Sequence, residues 1–307
     1  MGGHAVMTRV LRLTDERDFL AMLDVERELV RRAPQRWHYH PCGLVYNRYL
    51  FGDGADDVFE YGRVIETRQG VVGYAQLEAD DGLFMFRVLP HSGVRLGGVI
   101  ARITRELSGK IVAEVTESDT RQSAALRRQG FRELGTSRIC LVCNLAGHVD
   151  RDIGETDIRA VTDDDAERVA AIGVGTDARN TALYRAFMRS PYYNAVDLVA
   201  RVDGDVAAHV MFLTDDETRT ALLEFVVCEE RYRRRGVTKA LISQGLSQLK
   251  QRGFEYVCVS TGFSNAAAIG LYKSVGFAQS DRVIQYSIQK SSGVTIHEND
   301  VSVVRRA

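Results

Sequence analysis

The two halves of this 307-residue chain repeat one pattern of strands, turns and helices. Each half begins with a short strand, a helix-capping Thr-Asp pair and an amphipathic helix, starting at Leu11 and at Ile158. Each continues with a hairpin that turns at Gly70 in one half and at Asp203-Gly204 in the other. Further on, residues 95–100 match 233–238, and residues 126–131 match 272–277. A chain of this kind is expected to fold as two similar α/β units.

The repeat also predicts where the units end. The join falls in residues 146–155, a short polar stretch with two glycines between strand-like runs. We therefore predict one domain over residues 1–147, a second over 154–290 and a tail over 291–307. Each half has about 140 residues, which is enough for a mixed α/β domain with its own hydrophobic core.

Composition excludes several classes of protein. The chain is 45% hydrophobic and 26% charged, as is usual for a globular protein, and its formal net charge is −1. A protein that neutralises many phosphates usually has a basic excess, so nucleic acid is not expected as a partner. The N-terminus has no basic region followed by a long apolar run, and no apolar stretch reaches the ~18 residues of a membrane span. We expect a cytoplasmic protein without a membrane partner.

The five cysteines are an odd number in a long chain and do not suggest a disulfide framework. Cys140 and Cys143 have the spacing of a redox or zinc motif. However, they lie inside an apolar strand-like run without a second pair of ligands, so we interpret them as buried strand residues. No metal site is predicted.

One turn in the second half favours a bound anion. An apolar strand-like run over residues 222–228 leads into Arg233, Arg234, Arg235 and Gly236, and apolar residues then recur at helical spacing until Gly253. A helix N-terminus presents open backbone N–H groups and the positive end of the helix dipole, and the arginines add charge. Taken alone, the segment fits a polyanion site and an ordinary solvated basic loop equally well.

A second motif follows the next strand-like run, over residues 256–260. It consists of Asn265, Ala268, Leu271, Tyr272 and the pair Gly276-Phe277. Together with the Arg-x-x-Gly turn, it resembles the GNAT acetyltransferase superfamily in order and spacing. The resemblance implies tandem GNAT-like domains, each a mixed, mostly antiparallel sheet flanked by helices, and acetyl-CoA as acyl donor. Thr238 departs from the family pattern, which has Gly or Ala there.

The resemblance also implies roles for individual residues. Tyr272 would be the general acid toward the departing sulfur, because a phenol with an ordinary pKa near ~10 keeps its proton at neutral pH. Glu224, on the strand before the turn, would be the general base. Strand periodicity places Glu224 on the same face as Leu222 and Val226. An exposed strand residue without a catalytic role is an equally good interpretation of Glu224. The residues implied in acetyl-CoA binding are Val226, Val227, Cys228, Arg233, Arg234, Arg235, Gly236, Val237, Thr238, Lys239 and Asn265.

The first half lacks several of these groups. Leu126 stands where the repeat has Tyr272, Asp119 stands where it has Asn265, and no run of arginines surrounds Arg95. This half is interpreted as degenerate. Two alternatives stay open: it binds a carrier through Gly97-Gly98, or it serves as scaffold and substrate wall.

Two groups of residues bear on the acceptor. The cluster Trp37-His38-Tyr39-His40 follows the first helix, where such domains shape the acceptor pocket, but ordinary loop packing is the favoured interpretation. The turn Asp215-Asp216-Glu217 offers acidic charge to a cationic amine, but exposed hairpin acidity is the favoured interpretation.

The function expected from the resemblance is an acetyl-CoA-dependent N-acetyltransferase. It would act on a small primary amine by direct transfer in a ternary complex, with the active site in the C-terminal half and the chain a monomer or homodimer. A protein or peptide N-terminal amine is an alternative acceptor, and a non-catalytic acyl-CoA-binding protein is an alternative from another class. Loss of the phenol in only one half argues against the second alternative, since binding alone needs no acid.

Overall fold

The computed structural model describes residues 7–36, 40–50, 60–78, 82–149, 156–173 and 178–290. Trp37, His38, Tyr39, residues 150–155 of the predicted linker and the tail over 291–307 lie outside these ranges. The helices with described bounds are α1 (Glu16–Arg32), α2 (Pro41–Leu50), α3 (Leu96–Ile103), α4 (Thr120–Arg128), α5 (Ala166–Gly173), α6 (Ala178–Met188), α7 (Val237–Gln251) and α8 (Ala266–Ser274). None of these helices is long and apolar enough to cross a membrane.

The strands of the described ranges form one continuous sheet. They are β1 (Arg9–Arg12), β2 (Gly62–Thr67), β3 (Gly70–Glu78), β4 (Leu83–Val88), β5 (Gly109–Thr116), β6 (Arg132–Asn144), β7 (Asp157–Ala160), β8 (Ala195–Val202), β9 (Asp205–Asp215), β10 (Thr220–Cys228), β11 (Tyr256–Gly262) and β12 (Ala278–Lys290). Their order across the sheet is β1-β2-β3-β4-β5-β12-β6-β11-β10-β9-β8-β7. Most pairs are antiparallel, and β4–β5 and β10–β11 are parallel.

The local sequence explains how both halves begin. In the first half, Asp15 caps α1 by accepting hydrogen bonds from the backbone N–H groups of Arg17 at 2.9 Å and Asp18 at 3.3 Å. In the second, Thr162 and Asp165 form a capping box ahead of α5. Both hairpins turn where expected, with Gly70 and the pair Asp203-Gly204 at positive φ.

The two halves exchange their last strands. The first half's last strand, β6, pairs with β11 of the second half, and the second half's last strand, β12, pairs with β5 of the first. The exchanged strands also pair with each other in the middle of the sheet. The two folds are therefore joined through hydrogen bonds of the sheet itself.

The exchange also joins the hydrophobic cores. On one side of the sheet, here called the front face, α1, α2, α5 and α6 share a single core that draws buried side chains from both halves. On the back face, α7 and α8 pack over the second half together with Leu141 and Cys143 of β6. Likewise, α3 and α4 pack over the first half together with Ile284 and Tyr286 of β12. Each back core therefore contains a strand of the other half, which differs from the expectation of two self-contained cores. The division at residues 147 and 154 stays a prediction.

Candidate active site

Strands β10 and β11 pair over only part of their length. Residues 220–222 pair with residues 256–258, and no further pair of residues joins these two strands. The other edge of β10 stays paired with β9 as far as Cys228. Past Leu222, the edge of β10 that faces β11 therefore has no strand partner in the described part of the chain, and a gap opens between the two strands.

A β-bulge interrupts β10 inside this gap. The register with β9 shifts between Glu224 and Val227, and Phe225 has a φ of +49°. Leu222 belongs to the front core, whereas Val226 packs against the back core. The expectation that Glu224 and Val226 share a face is therefore wrong, because the bulge breaks the period of two. A bulge also leaves the extra residue unpaired in the ladder.

The turn after β10 ends in an open helix start. Gly236 is the N-cap of α7, with a φ of +82° that favours glycine, and no side chain caps the helix. The N–H of Ala240 is the first to bond within the helix, at 3.0 Å from the carbonyl oxygen of Gly236. Within the described residues, the six consecutive N–H groups of residues 234–239 have no hydrogen-bond acceptor. This arrangement is suited to an anion.

The basic side chains of the turn are divided between two roles. Arg231 is paired with Asp205 and Glu229, and the Nε of Arg233 donates to the carbonyl oxygen of Cys228 at 3.2 Å. These two arginines hold the turn against the end of β10. Three further basic side chains are exposed and form no ion pair within the described residues: Arg234, Arg235 and Lys239. Their charge is available to a bound diphosphate.

Tyr272 and Asn265 lie on α8, which follows β11. Asn265 caps this helix: its Oδ1 accepts a hydrogen bond from the N–H of Ala268 at 3.1 Å, and its Nδ2 donates to Thr261 at 3.2 Å. Tyr272 is buried, with its ring centroid 5.8 Å from that of Phe277. Burial and the nearby charge of Glu224 raise the pKa of Tyr272 to about 12. The phenol therefore stays protonated at neutral pH.

Glu224 is half-buried beside the bulge. Burial raises the pKa of its carboxyl to about 7, and the positive charge of Arg138 opposes that rise. A carboxyl with this pKa can accept a proton near neutral pH. The charge of Glu224 also acts on Tyr272, so the predicted base lies within electrostatic range of the predicted acid.

The first half contributes to the same site. Tyr46 of α2 has its ring centroid 5.3 Å from that of Phe225, and its phenol has a raised pKa owing to burial and the charge of Glu224. Arg138 of β6 acts on both Glu224 and Tyr46. Sequence reasoning missed these two residues. A single arginine at the start of an otherwise apolar strand run was the only signal for Arg138.

A buried polar network supports the bulge from the neighbouring strands. Asp197 accepts hydrogen bonds from the hydroxyls of Tyr184 at 2.5 Å and Tyr193 at 2.8 Å, and lies 2.6 Å from the Nε2 of His209. His209 is directly opposite Val227 in the sheet, and its ring centroid lies 6.0 Å from that of Phe225. The network fixes the backbone on which the site is built.

The first half has the same opening but closes it with its own residues. Strands β4 and β5 also pair over only three residues, 83–85 with 112–114. Across this gap, Arg121 of α4 donates to the carbonyl oxygens of Val88 at 2.9 Å and Pro90 at 2.8 Å.

The turn that follows β4 has a shorter run of open N–H groups: the N–H of Val94 bonds to the hydroxyl of Ser92 at 3.4 Å, and within the described residues only those of residues 95–97 lack an acceptor in succession. The N–H of Ser92 bonds to Leu89 at 3.2 Å, and the N–H of Gly98 bonds to Arg95 at 3.0 Å. Leu126, which replaces the tyrosine, is completely buried. Of the two alternatives left open for this half, these contacts favour the scaffold.

Other predicted residues have structural roles. His40 is buried, its Nε2 lies 2.7 Å from the hydroxyl of Thr220, and burial lowers its pKa to about 4, so it belongs to the loop packing. Asp215 is buried rather than exposed and accepts from the Nε of Arg27 at 3.0 Å. Glu217 is paired with the same arginine, so this acidic turn is neutralised. The four other cysteines of the chain besides Cys228 are buried thiols, as expected for the Cys140 pair.

No group of three or more His, Cys, Asp or Glu side chains arranged to hold a metal ion occurs in the described ranges. The site is therefore built from two strands that part, a bulge, an open helix start, one carboxyl and one phenol. Such a site on such a sheet defines the class of acyl-CoA-dependent acyltransferases with a GNAT fold.

Comparison with known proteins agrees with this class. Residues 164–277 match the model of the Acetyltransferase (GNAT) family. Aminoglycoside N(6')-acetyltransferase type 1 of Serratia marcescens is 29% identical over 128 residues, which cover 39% of this chain and 87% of that enzyme. The C-terminal half therefore carries a domain of the GNAT acetyltransferase family, and the protein is an N-acetyltransferase.

Solved structures extend the match to the whole fold. A tandem GNAT protein from the clavulanic acid biosynthesis pathway superposes with a TM-score of 0.67 at 14% identity, over 93% of this chain and 99% of that one. A GNAT-family acetyltransferase from Colwellia psychrerythraea superposes with a TM-score of 0.59 at 14% identity, over 92% and 100%. The fold is therefore a tandem GNAT fold. Proteins of this family use acetyl-CoA.

Proposed function

We propose that this protein transfers the acetyl group of acetyl-CoA to the primary amine of a small molecule, directly and in a ternary complex, at a site in its C-terminal half. The observation that carries the proposal is the row of six unpaired backbone N–H groups over residues 234–239, next to the gap between β10 and β11. In the first half, Arg121 bonds to carbonyls across the corresponding gap, and the longest run of open N–H groups in the described turn is three, over residues 95–97.

Two parts of acetyl-CoA bind to the open turn and to the free edge of β10. The N–H groups of residues 234–239 hold the diphosphate, and the charges of Arg234, Arg235 and Lys239 assist them. The free edge of β10, at Val226, Val227 and Cys228, pairs with the extended arm of the carrier. Acetyl-CoA, when bound there, supplies an activated acyl group. Thr238 lies in the first turn of α7, where its N–H is one of the six and its hydroxyl is a further donor.

Two side chains handle the protons. Glu224 takes a proton from the acceptor amine, directly or through a water molecule, because only the unprotonated amine is a nucleophile. Tyr272 holds a proton at its hydroxyl for the departing sulfur. Asn265 caps α8 and so fixes the helix that carries Tyr272.

A small-molecule acceptor is favoured over a peptide. The related Serratia enzyme is an aminoglycoside acetyltransferase, and the family model matches residues 164–277, in the half to which we assign the site. The strand after the turn also lacks an acidic residue over Val259, Ser260 and Thr261, where peptide-amine enzymes of this superfamily often have one. The carboxylates of this enzyme's own acidic turn are paired with Arg27, Arg31 and Arg219, so the acceptor need not be a polycation.

Thiol release from acetyl-CoA, measured against panels of small amines and of peptides with free N-termini, tests the proposal. We expect amine-dependent release with small amines, and a loss of about 100-fold or more in kcat for Tyr272→Phe with an unchanged Kd for acetyl-CoA. Tyr256→Phe, on β11 and away from the bulge, is the matched control and should keep full activity. Binding of acetyl-CoA without turnover of any amine would instead indicate a sensor, and release with peptides alone would indicate the other acceptor class.

A further inference from the structure

We infer that the acceptor carries an acidic group, such as a carboxylate, and that Arg138, supplied by the exchanged strand β6, binds it beside the catalytic carboxyl. This inference rests on the function proposed above and names the substrate class of the same site. It follows from the position of Arg138, from its lack of a partner and from the space beside it.

Arg138 lies on the same face of the sheet as Glu224. Residues that pair directly across a sheet point to the same side, and along a strand every second residue does. Leu222 pairs with Cys258, and two steps away on each strand lie Glu224 and Ser260. Gly262, two further steps along β11, pairs with Arg138. Both charged side chains therefore stand on the front face.

The two charges act on each other but are not paired. Arg138 opposes the effect of burial on Glu224, so its guanidinium is within electrostatic range of that carboxyl. Within the described ranges, however, Arg138 is exposed and makes neither a hydrogen bond nor an ion pair. The nearby carboxyl of Glu114 is already occupied by Ser137 at 3.1 Å and Gln285 at 2.9 Å. An arginine in this position has its five donors free for a ligand.

There is room for a ligand at this point. A Cβ built on Gly262, directly opposite Arg138, would meet no atom within 4 Å. The same holds for Gly135, which pairs with Gln285 on the next strand. The middle of the front face, between Glu224 and Arg138, is therefore an open surface of glycines and polar side chains.

The chemistry of the two groups then defines the acceptor. Its amine has to approach Glu224, which takes the proton, while an acidic group on the same molecule would meet the planar guanidinium in a bidentate pair. A molecule with only positive charges would bring one of them against Arg138. Amino acids are the simplest acceptors of this class, with the acidic group either on the carbon that bears the amine or at the far end of a short chain.

The test uses pairs of acceptors that differ in one carboxylate. Each α-amino acid or short ω-amino acid is compared with the amine that lacks its carboxylate, with kcat/KM measured for the full-length enzyme. We expect the wild type to prefer the acidic member of at least one pair. In Arg138→Gln, kcat/KM for that member should fall about 10- to 100-fold, with most of the loss in KM, while the neutral amine changes about threefold or less. For Arg138→Lys, kcat/KM for the acidic member should lie between the values for the wild type and for Arg138→Gln.

Arg282→Gln is the matched control. Arg282 is the neighbour of Val283, which pairs with Arg138, so its side chain stands on the opposite face, where it pairs with Glu117 at 2.9 Å. This variant removes the same charge from the adjacent strand and should leave the preference unchanged.

Three results would overturn the inference. They are a wild-type preference for the neutral member of every pair, an equal loss for both members in Arg138→Gln, and a failure to acetylate any acid-bearing amine. In the last case, acetyl-CoA binding and turnover of other amines would show that the proposed function itself stands. A chain that does not bind acetyl-CoA would instead refute the proposed function.

Discussion

At the scale of single residues, the site depends on two groups whose surroundings move their pKa values to useful ranges. Burial raises the pKa of Glu224 to about 7, where a carboxylate is basic enough to accept a proton yet still ionised near neutral pH. The pKa of Tyr272 is raised to about 12 by burial and by that carboxylate, which keeps its proton in place. One environment thus supplies both a base and an acid.

The raised pKa of Glu224 predicts the pH dependence of the reaction. Glu224 has to be deprotonated to act as a base, so kcat/KM should rise about tenfold per pH unit below a pKa of about 7 and level off above it. In Glu224→Gln this rise of kcat/KM with pH should disappear, and kcat/KM at pH 8 should fall about 100-fold or more. A pH–rate profile for both forms with one acceptor is the measurement. If kcat/KM of the variant rose with pH in the same way, the titrating group would not be Glu224.

Some of these residues could be read from the sequence and others could not. Gly236 was predictable because the helix start needs a positive φ there, and Tyr272 was identified by its spacing within the second motif, while its catalytic role stays a prediction. Arg138 and Tyr46 were not, because each comes from an element of the other half. Both residues are far from Glu224 in the sequence, and sequence separation does not indicate which elements pack beside Glu224 in the fold.

At the scale of elements, α7 lies unusually close to the sheet. A Cβ built on Gly245 would stand 2.1 Å from the ring of Phe212, a completely buried side chain of β9. We expect Gly245→Ala to lower the free energy of unfolding by about 1–3 kcal/mol, because neither the ring nor the helix has room to move. Chemical denaturation of the purified variant would measure the change.

Gly270→Ala on α8 is the control for helix propensity. A Cβ there meets no atom within 4 Å, so the change should raise the free energy of unfolding by up to about 1 kcal/mol. If Gly245→Ala were equally stabilising, the close packing of α7 against β9 would be refuted.

The elements themselves were largely predictable, and the bulge was not. Apolar runs, capping residues and turn glycines gave the hairpins and the helix start at Gly236, since these depend on neighbours in the sequence. The positive φ of Phe225 has no such signal, because nothing local favours it in a phenylalanine. It is imposed by the packing of Phe225 against Tyr46 and by the register with β9.

At the scale of the whole molecule, duplication and strand exchange work together. The last strand of each half follows a Gly-Phe pair, at residues 130–131 and 276–277, so local sequence does not show which half each strand joins. Only the three-dimensional connection decides between them, which is why the sequence predicted two self-contained cores. The exchange also places Arg138 of β6 opposite Gly262 of β11, beside the proposed site of the second half.

The duplication has also left the halves unequal. The first half supplies α2 and β6 to the site and fills its own gap with Arg121, while the second half keeps its gap and turn open. We therefore predict one acetyl-CoA site per chain, in the C-terminal half.

Hydrogen–deuterium exchange with and without acetyl-CoA tests this most directly, because it reports on the backbone N–H groups themselves. We predict slower exchange over residues 234–239 when acetyl-CoA is present, and no change over residues 89–98 of the first half, whose gap is closed by Arg121. Unchanged exchange over residues 234–239, or an equal slowing in both turns, would contradict the account.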